Sequence, residues 1–320
     1  LTLLLLGCAD RSSIRGVTPL DAGDSVELRD TPFFSQTADQ CGPAALATLL
    51  VHAGRQTSPA ALAERIYLPG REGSLQFELF GAIRREGLVP YPIEPTLAAL
   101  VTELGAGRPV LVLQNLGLSA VPIWHYAVVI GYDSDADEII LRSGTTRHKV
   151  TAADRFLGTW GRADFWGFVV LAPGELPARP DRTRYLAAIA ALEAVGQFEA
   201  ALTSYRAALE PWPRDTIALL GIGNSLYGLG DIAAAEKAYR RLVEEDPSHL
   251  AGYNNLAQVL ADQGHYDQAL ALVSKALSLT GANPDLRRIL QETRAEIRQE
   301  RGSDRRFLNA CDPGTPTGKF

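Results

Sequence analysis

Methionine is absent from the 320 residues, and sulfur and imidazole are scarce: three cysteines, at 8, 41 and 311, and five histidines, at 52, 125, 148, 249 and 265. Three thiols so far apart make no disulfide framework and no paired zinc spacing. The histidines form neither an H-E-x-x-H pair nor any other metal spacing, so the sequence predicts no metal and no cofactor. Charge of one sign is also in short supply. The net charge of -6 argues against a grip on nucleic acid. No apolar run approaches the about 20 residues that cross a bilayer, and no Walker loop is present to cradle nucleotide phosphates. What is present is an ordinary globular composition, 46% apolar and 21% charged, in a chain long enough for two domains.

The two halves have different rhythms. From Leu28 to Pro173 helical spacing comes first, over 43 to 53, 74 to 87 and 95 to 107. Strand-like runs follow at 108 to 116, 123 to 133, 137 to 144 and 164 to 173, with "DSDAD" as a hairpin turn. Helices followed by an antiparallel sheet is the α+β order. After a linker rich in proline, at 174 to 181, the strands vanish and a 34-residue period begins. Gly196, Gly230 and Gly264 keep that step, as do Ala201, Ala235 and Ala269, and Tyr185, Leu219 and Tyr253. Tyr205 and Tyr239 share it with Val273 as third member, and so do Pro213 and Pro247. This pattern resembles the tetratricopeptide repeat: three repeats over 182 to 281, a capping helix within 283 to 300, and a disordered tail over 302 to 320.

One thiol stands where a nucleophile would. In "DQCGPAALATLL" Cys41 sits at the mouth of a helix, ahead of Gly42 and Pro43. A thiol attacks as thiolate, and two devices lower its pKa: a helix N-terminus and a nearby imidazolium. His52 lies about 16 Å along the same helix at 1.5 Å per residue, too far to act. His148 lies in polar sequence, and His249 and His265 belong to the repeats. His125, in "PIWHYAVVIGYD", opens an apolar strand of the same domain and is the candidate base. Gln36, five residues before Cys41, is the candidate side-chain donor to an oxyanion, supplemented by the backbone N–H of Cys41, with Gln40 as the neighbouring alternative.

"QTADQCGPAALATLL" followed by "WHYAVVIGYD" resembles the papain-like cysteine peptidases of the bacteriocin-processing group, which cleave leaders after double glycine. The resemblance covers about residues 30 to 171. It implies an α+β papain-like peptidase domain, here over 28 to 173, followed by an all-α repeat solenoid over 182 to 301. It also implies Cys41 as nucleophile, His125 as base and acid, and Gln36 as oxyanion donor. That family orients the histidine with a carboxylate or amide on the next strand. Here "LRSGTT" offers Ser143, with Thr145 beside it, in the nearest equivalent place, and Asp133 lies at the far end of the strand. Ser143, a backbone carbonyl or nothing at all is left to orient the imidazole. The transporter domains of that group are missing, so double-glycine specificity does not carry over.

Two other readings use the same residues: a degenerate peptidase fold serving as a binding module, and a cell-wall amidase or acyltransferase with the same cysteine-histidine pair. The repeats imply a protein or peptide partner. The start "LTLLLLGC" resembles a bacterial lipobox. It implies lipidation at Cys8, a tether over 9 to 27, and a lipid-anchored position in the cell envelope, on the periplasmic side of the outer membrane if the source is Gram-negative.

Overall fold

A computed structural model describes residues 13–14, 25–35, 40–67, 74–279 and 284–310. Gln36, Cys8, the tether but for its scattered described residues, and Cys311 lie outside them. The chain divides into two compact units, residues 1–200 and 201–320. The first carries strand β1 (Ser25–Glu27), helices α1 (Cys41–His52), α2 (Pro59–Ile66) and α3 (Gln76–Arg85), strand β2 (Val89–Pro92), helix α4 (Leu97–Gly105), strands β3 (Val110–Asn115), β4 (Trp124–Asp133), β5 (Glu138–Ser143) and β6 (Thr146–Ala152), helix α5 (Ala153–Gly161), strand β7 (Gly167–Leu171) and helix α6 (Arg182–Glu193). The strands make one antiparallel sheet in the order β2-β7-β3-β4-β5-β6, and β1 pairs with the end of β4.

Helix α1 is buried from Gly42 to Leu50, which its run of alanine and leucine allows on every side. It packs on one face of the sheet, where Leu111, Tyr126, Val128, Ile130 and Phe168 join Leu46, Leu49 and Leu50 in a single core. Period-two alternation sends the intervening residues of β4, His125 among them, to the other face. There Phe156 and Trp160 of α5 are fully buried.

The structure adds elements that the sequence pattern leaves out. Strand β2 reads "VPYP", and two prolines argue against a strand unless it is an edge, which it is. The opposite edge, β6, is mostly exposed and polar, so no apolar alternation marks it. Helices α2 and α5 are short, eight and nine residues, and bury only two and three side chains each, so their apolar spacing is faint.

The segment after β7 is ordered rather than loose. Arg108 makes ion pairs with Glu103 at 2.5 Å and with Glu175 at 2.8 Å, and the N–H of Ala178 donates to Glu103 at 3.0 Å. Asp181 caps α6 by accepting from the N–H of Arg184 at 2.7 Å. Tyr185 of α6 is fully buried with its ring 6.3 Å from that of Tyr91 on β2, and its hydroxyl donates to the Glu175 carbonyl at 2.9 Å.

Helix α7 (Phe198–Ala208) crosses the division. The second unit then holds α8 (Thr216–Gly228), α9 (Ile232–Glu245), α10 (Leu250–Asp262), α11 (Tyr266–Ser278) and α12 (Pro284–Ala310). The 34-residue step has a plain physical basis. Gly230 and Gly264 end α8 and α10 with φ of 80° and 79°, the left-handed conformation that favours glycine. Ala235 and Ala269 are fully buried where a larger side chain would hold helices apart. Helix α12 continues to Ala310, past the Gly302 at which the sequence expectation begins a disordered tail. One glycine costs only about 1 kcal/mol in a helix, and strong helix formers flank it, arginine, glutamine and glutamate before it and arginine and leucine after it.

Candidate functional site

Cys41 is the first residue of α1, and its side chain is half-buried against the domain core. Gln40 precedes it as N-cap without a side-chain capping bond. Gly42 allows a close approach. A Cβ built there would lie 2.8 Å from Cβ of Ser74, inside any contact that real side chains make. It would also lie 3.6 Å from the ring of Tyr126. The Tyr126 hydroxyl in turn donates to the carbonyl of Ser74 at 3.2 Å. Burial, and secondarily the negative charge available at Cys41, push the Tyr126 phenol well above its ordinary range. The start of α1, Ser74 and the start of β4 therefore meet at one place.

His125 is the residue before Tyr126 and turns to the other face of β4. Its Nε2 lies 2.9 Å from Oγ of Ser143. Of the orienting groups that the sequence left open, the structure places Ser143 against the ring. Asp133 accepts from the N–H of Ala136 at 2.8 Å in the hairpin turn, at the other end of the strand from His125. Across the register His125 pairs with Gln114, whose amide donates to Oγ1 of Thr159 at 2.6 Å. The elements thus bring His125 and Ser143 together, and separately set Cys41 against Tyr126. His52 is exposed at the far end of α1, and the ring of His148 lies 3.2 Å from a carboxylate oxygen of Glu27.

Burial, and secondarily the positive charge of Lys149, hold the His125 imidazole at about 4, below its ordinary 6.5. Lys149 stands opposite Leu141 on β6, on the same face of the sheet as Ser143. His125 is therefore neutral at pH 7. It can accept a proton, but it does not supply the standing imidazolium that sequence reasoning sets beside Cys41. Ser74 and Lys149 went unnoticed in the sequence, since their approach to the site depends on strand register and on a loop return that no local pattern encodes.

A depressed histidine makes stability depend on pH. The unfolded chain binds this proton below about pH 6.5, whereas the folded chain refuses it until about pH 4. Stability is complete above pH 6.5 and is lost as pH falls through that window. The expected loss attributable to His125 between pH 7 and pH 4 is about 3 kcal/mol, since a protonation difference of this kind is worth about 1.4 kcal/mol per pH unit. Urea unfolding of the wild type and of His125→Gln at several pH values in this range reads it as the difference in slope. Parallel curves would mean that the imidazole titrates normally in the folded chain.

Comparison with known proteins assigns the two regions separately. Residues 28–165 match the Peptidase_C39 like family, and residues 185–247 and 220–285 match the Tetratricopeptide repeat. No curated protein matches the chain. Among solved structures, a putative C39-like peptidase from Bacillus anthracis is similar at 18% identity, over 46% of this chain and 97% of that one, with a TM-score of 0.41. A thermophilic tetratricopeptide protein of Thermus thermophilus is similar at 25% identity, over 39% of this chain and 69% of that one, with a TM-score of 0.35. The type III secretion translocator chaperone SycD of Yersinia enterocolitica is similar at 15% identity, over 38% of this chain and 85% of that one, with a TM-score of 0.36. The chain carries a C39-like α+β domain followed by tetratricopeptide repeats, the fold class that the sequence implies.

Proposed function

We propose that this protein is a cysteine peptidase in which Cys41 attacks a peptide carbonyl and His125 moves the proton. One observation carries the reading: a neutral, anchored imidazole stands one residue along β4 from the tyrosine that the start of α1 packs against. With Nε2–H donating to Ser143, the Nδ1 lone pair is left as the base. In this scheme the His125 ring, held on the other face of β4, reaches the thiol around the open first residues of that strand: Cys41 gives its proton to Nδ1 as sulfur bonds to the carbonyl carbon, and the helix N-terminus favours the developing thiolate. The backbone N–H of Cys41 and the amide of Gln36 hold the oxyanion. Nδ1–H then protonates the leaving amine as the C–N bond breaks. Water, deprotonated by the same nitrogen, releases the acyl group and restores the thiol. No cofactor enters this scheme.

The repeats supply a surface for a protein or peptide partner. Lipidation at Cys8 would hold the chain at a membrane of the cell envelope.

Alkylation tests the pair directly. In the full chain carrying Cys8→Ser and Cys311→Ser, Cys41 is the remaining thiol. Iodoacetamide is expected to label it below pH 8.5 because the helix N-terminus lowers the thiol pKa, and His125→Ala to slow labelling at pH 7 by roughly tenfold, because the group that takes the thiol proton is gone. Labelling that rises only near pH 8.5 and ignores His125 would make the fold a binding module.

A further inference from the structure

On the peptidase reading, the remaining question is which peptide residues the site accepts. From Pro109 to Tyr132 the chain contains no aspartate, glutamate, lysine or arginine. The centre of that stretch is the connection between β3 and β4, and it runs directly into His125. Its apolar side chains point outward: Leu118 is 75% exposed, Val121 68%, Ile123 59% and Trp124 54%.

This connection is built, not slack. Leu118 and Val121 form a β-bridge, and the Leu116 N–H donates to the Ile123 carbonyl at 2.8 Å. The buried Asn115 accepts from the N–H groups of Gly117 and Ile123, both at 3.0 Å, and the Arg162 guanidinium grips the Asn115 carbonyl at 2.8 Å. A Cβ at Gly117 would lie 2.4 Å from the Val121 carbonyl oxygen, so the loop closes on itself too tightly for any other residue. Much of the fold's loop-ordering machinery is therefore used to hold water-exposed apolar groups in place.

A second apolar element lies on the Cys41 side. Ser74, against Gly42, is followed at once by Leu75 at the edge of exposure and by Phe77, 82% exposed. Exposed apolar groups on both flanks of the same site, those of the β3–β4 connection held by its hydrogen bonds, mark a binding surface. We infer that the β3–β4 loop and the start of α3 are substrate-binding lips, and that the peptide they receive carries large apolar side chains beside the scissile bond, rather than paired glycines. Continuity with His125 on one side and with Gly42 on the other makes the peptide substrate their occupant.

The test uses the full chain and a mixed-sequence peptide library, with cleavage sites read by mass spectrometry. Leucine, isoleucine, valine or phenylalanine is expected within two residues of most cleaved bonds. The variant Leu118→Ser/Val121→Ser, with an unchanged melting temperature because both side chains face water, is expected to lower kcat/KM on the best such peptide at least tenfold, mainly through KM. Cleavage without apolar preference, or a variant as efficient as wild type, overturns the inference. So does a variant that cleaves normally but loses binding to anionic phospholipid vesicles, or one that only converts a dimer to a monomer. Failure to cleave any peptide overturns the peptidase reading as well, whereas cleavage by a chain whose Cys41 alkylates in a His125-dependent way, but without apolar preference, overturns this inference alone. Alkylation that ignores His125 overturns the peptidase reading, and this inference with it.

Discussion

Cys41→Ser is expected to lower peptide hydrolysis by about three orders of magnitude or more while leaving the fold intact. The hydroxyl occupies nearly the volume of the thiol, and the half-buried position at the end of α1 needs no repacking. The pKa is what changes. A serine hydroxyl is far harder to deprotonate than a thiol, and His125, held at about 4, is a weak base. A strong base such as a carboxylate-backed imidazole could partly compensate for such a change. An imidazole that faces Ser143 and feels the charge of Lys149 cannot. Removing a covalent nucleophile generally costs activity on this scale. The change in stability is expected to stay below about 1 kcal/mol, as for most substitutions that leave no cavity and bury no new charge. Steady-state kinetics on a cleaved peptide and a thermal melt check the two halves of the statement. Retained hydrolysis would remove Cys41 from the chemistry. A collapsed melt would show that the thiol is a core residue.

The second large effect lies in the repeats. Gly223→Ala is expected to destabilise the unit of residues 201–320 by about 2 kcal/mol, although alanine is the better helix former by about 1 kcal/mol. The reason is contact. A Cβ on Gly223 would stand 2.3 Å from Cε1 of Tyr239, which is buried and donates its hydroxyl to Asn224 at 2.8 Å. The ring cannot withdraw without breaking that bond, so α8 and α9 must move apart. Overpacking of this kind costs typically 1–3 kcal/mol. The following repeat points to the remedy. One 34-residue step on, Ala257 and Val273 replace the glycine and the tyrosine, both fully buried. A methyl has been added on one helix and a ring removed from the other. The first repeat, with Ile189 and Tyr205, does not follow this exchange. Gly223→Ala/Tyr239→Val should therefore recover part of the stability in urea unfolding followed by circular dichroism. A single variant as stable as wild type would mean that the two helices have slack.

Much of the architecture could be read from the sequence, because its causes are periodic. The repeats announce themselves through left-handed glycines and small alanines that recur at every step, with tyrosine at most of the intervening packing positions. The helix behind Cys41 and the strand behind His125 are long apolar runs with few alternatives. The edges of the sheet could not be read. Strand β2 carries two prolines and β6 is polar, and each is a strand only because a neighbour pairs with it. The site divides along the same line. Cys41 stands out by its place at a helix start, and His125 by its place at a strand start. Ser143 was one of several orienting groups until the β4–β5 pairing set its hydroxyl on the ring. The protonation state of His125 depends first on its burial and secondarily on Lys149, two strands away in the sheet, and sequence spacing supplies neither.

The docking of Tyr185 on Tyr91 has a consequence for how this chain can be cut. The proline-rich stretch at 174 to 181 looks like the natural place to separate the α+β domain from the repeats. Yet its backbone is tied to Glu103 and its following helix covers the β2 edge. A fragment ending at Pro173 would leave Tyr91, now almost fully buried, facing water beside an open strand edge, a template for pairing with another chain. The repeat that looks like an accessory begins as a lid on the sheet. The shortest self-sufficient piece of the N-terminal half therefore includes the first repeat helix, and any duplication, loss or exchange of repeats during evolution would have had to spare α6.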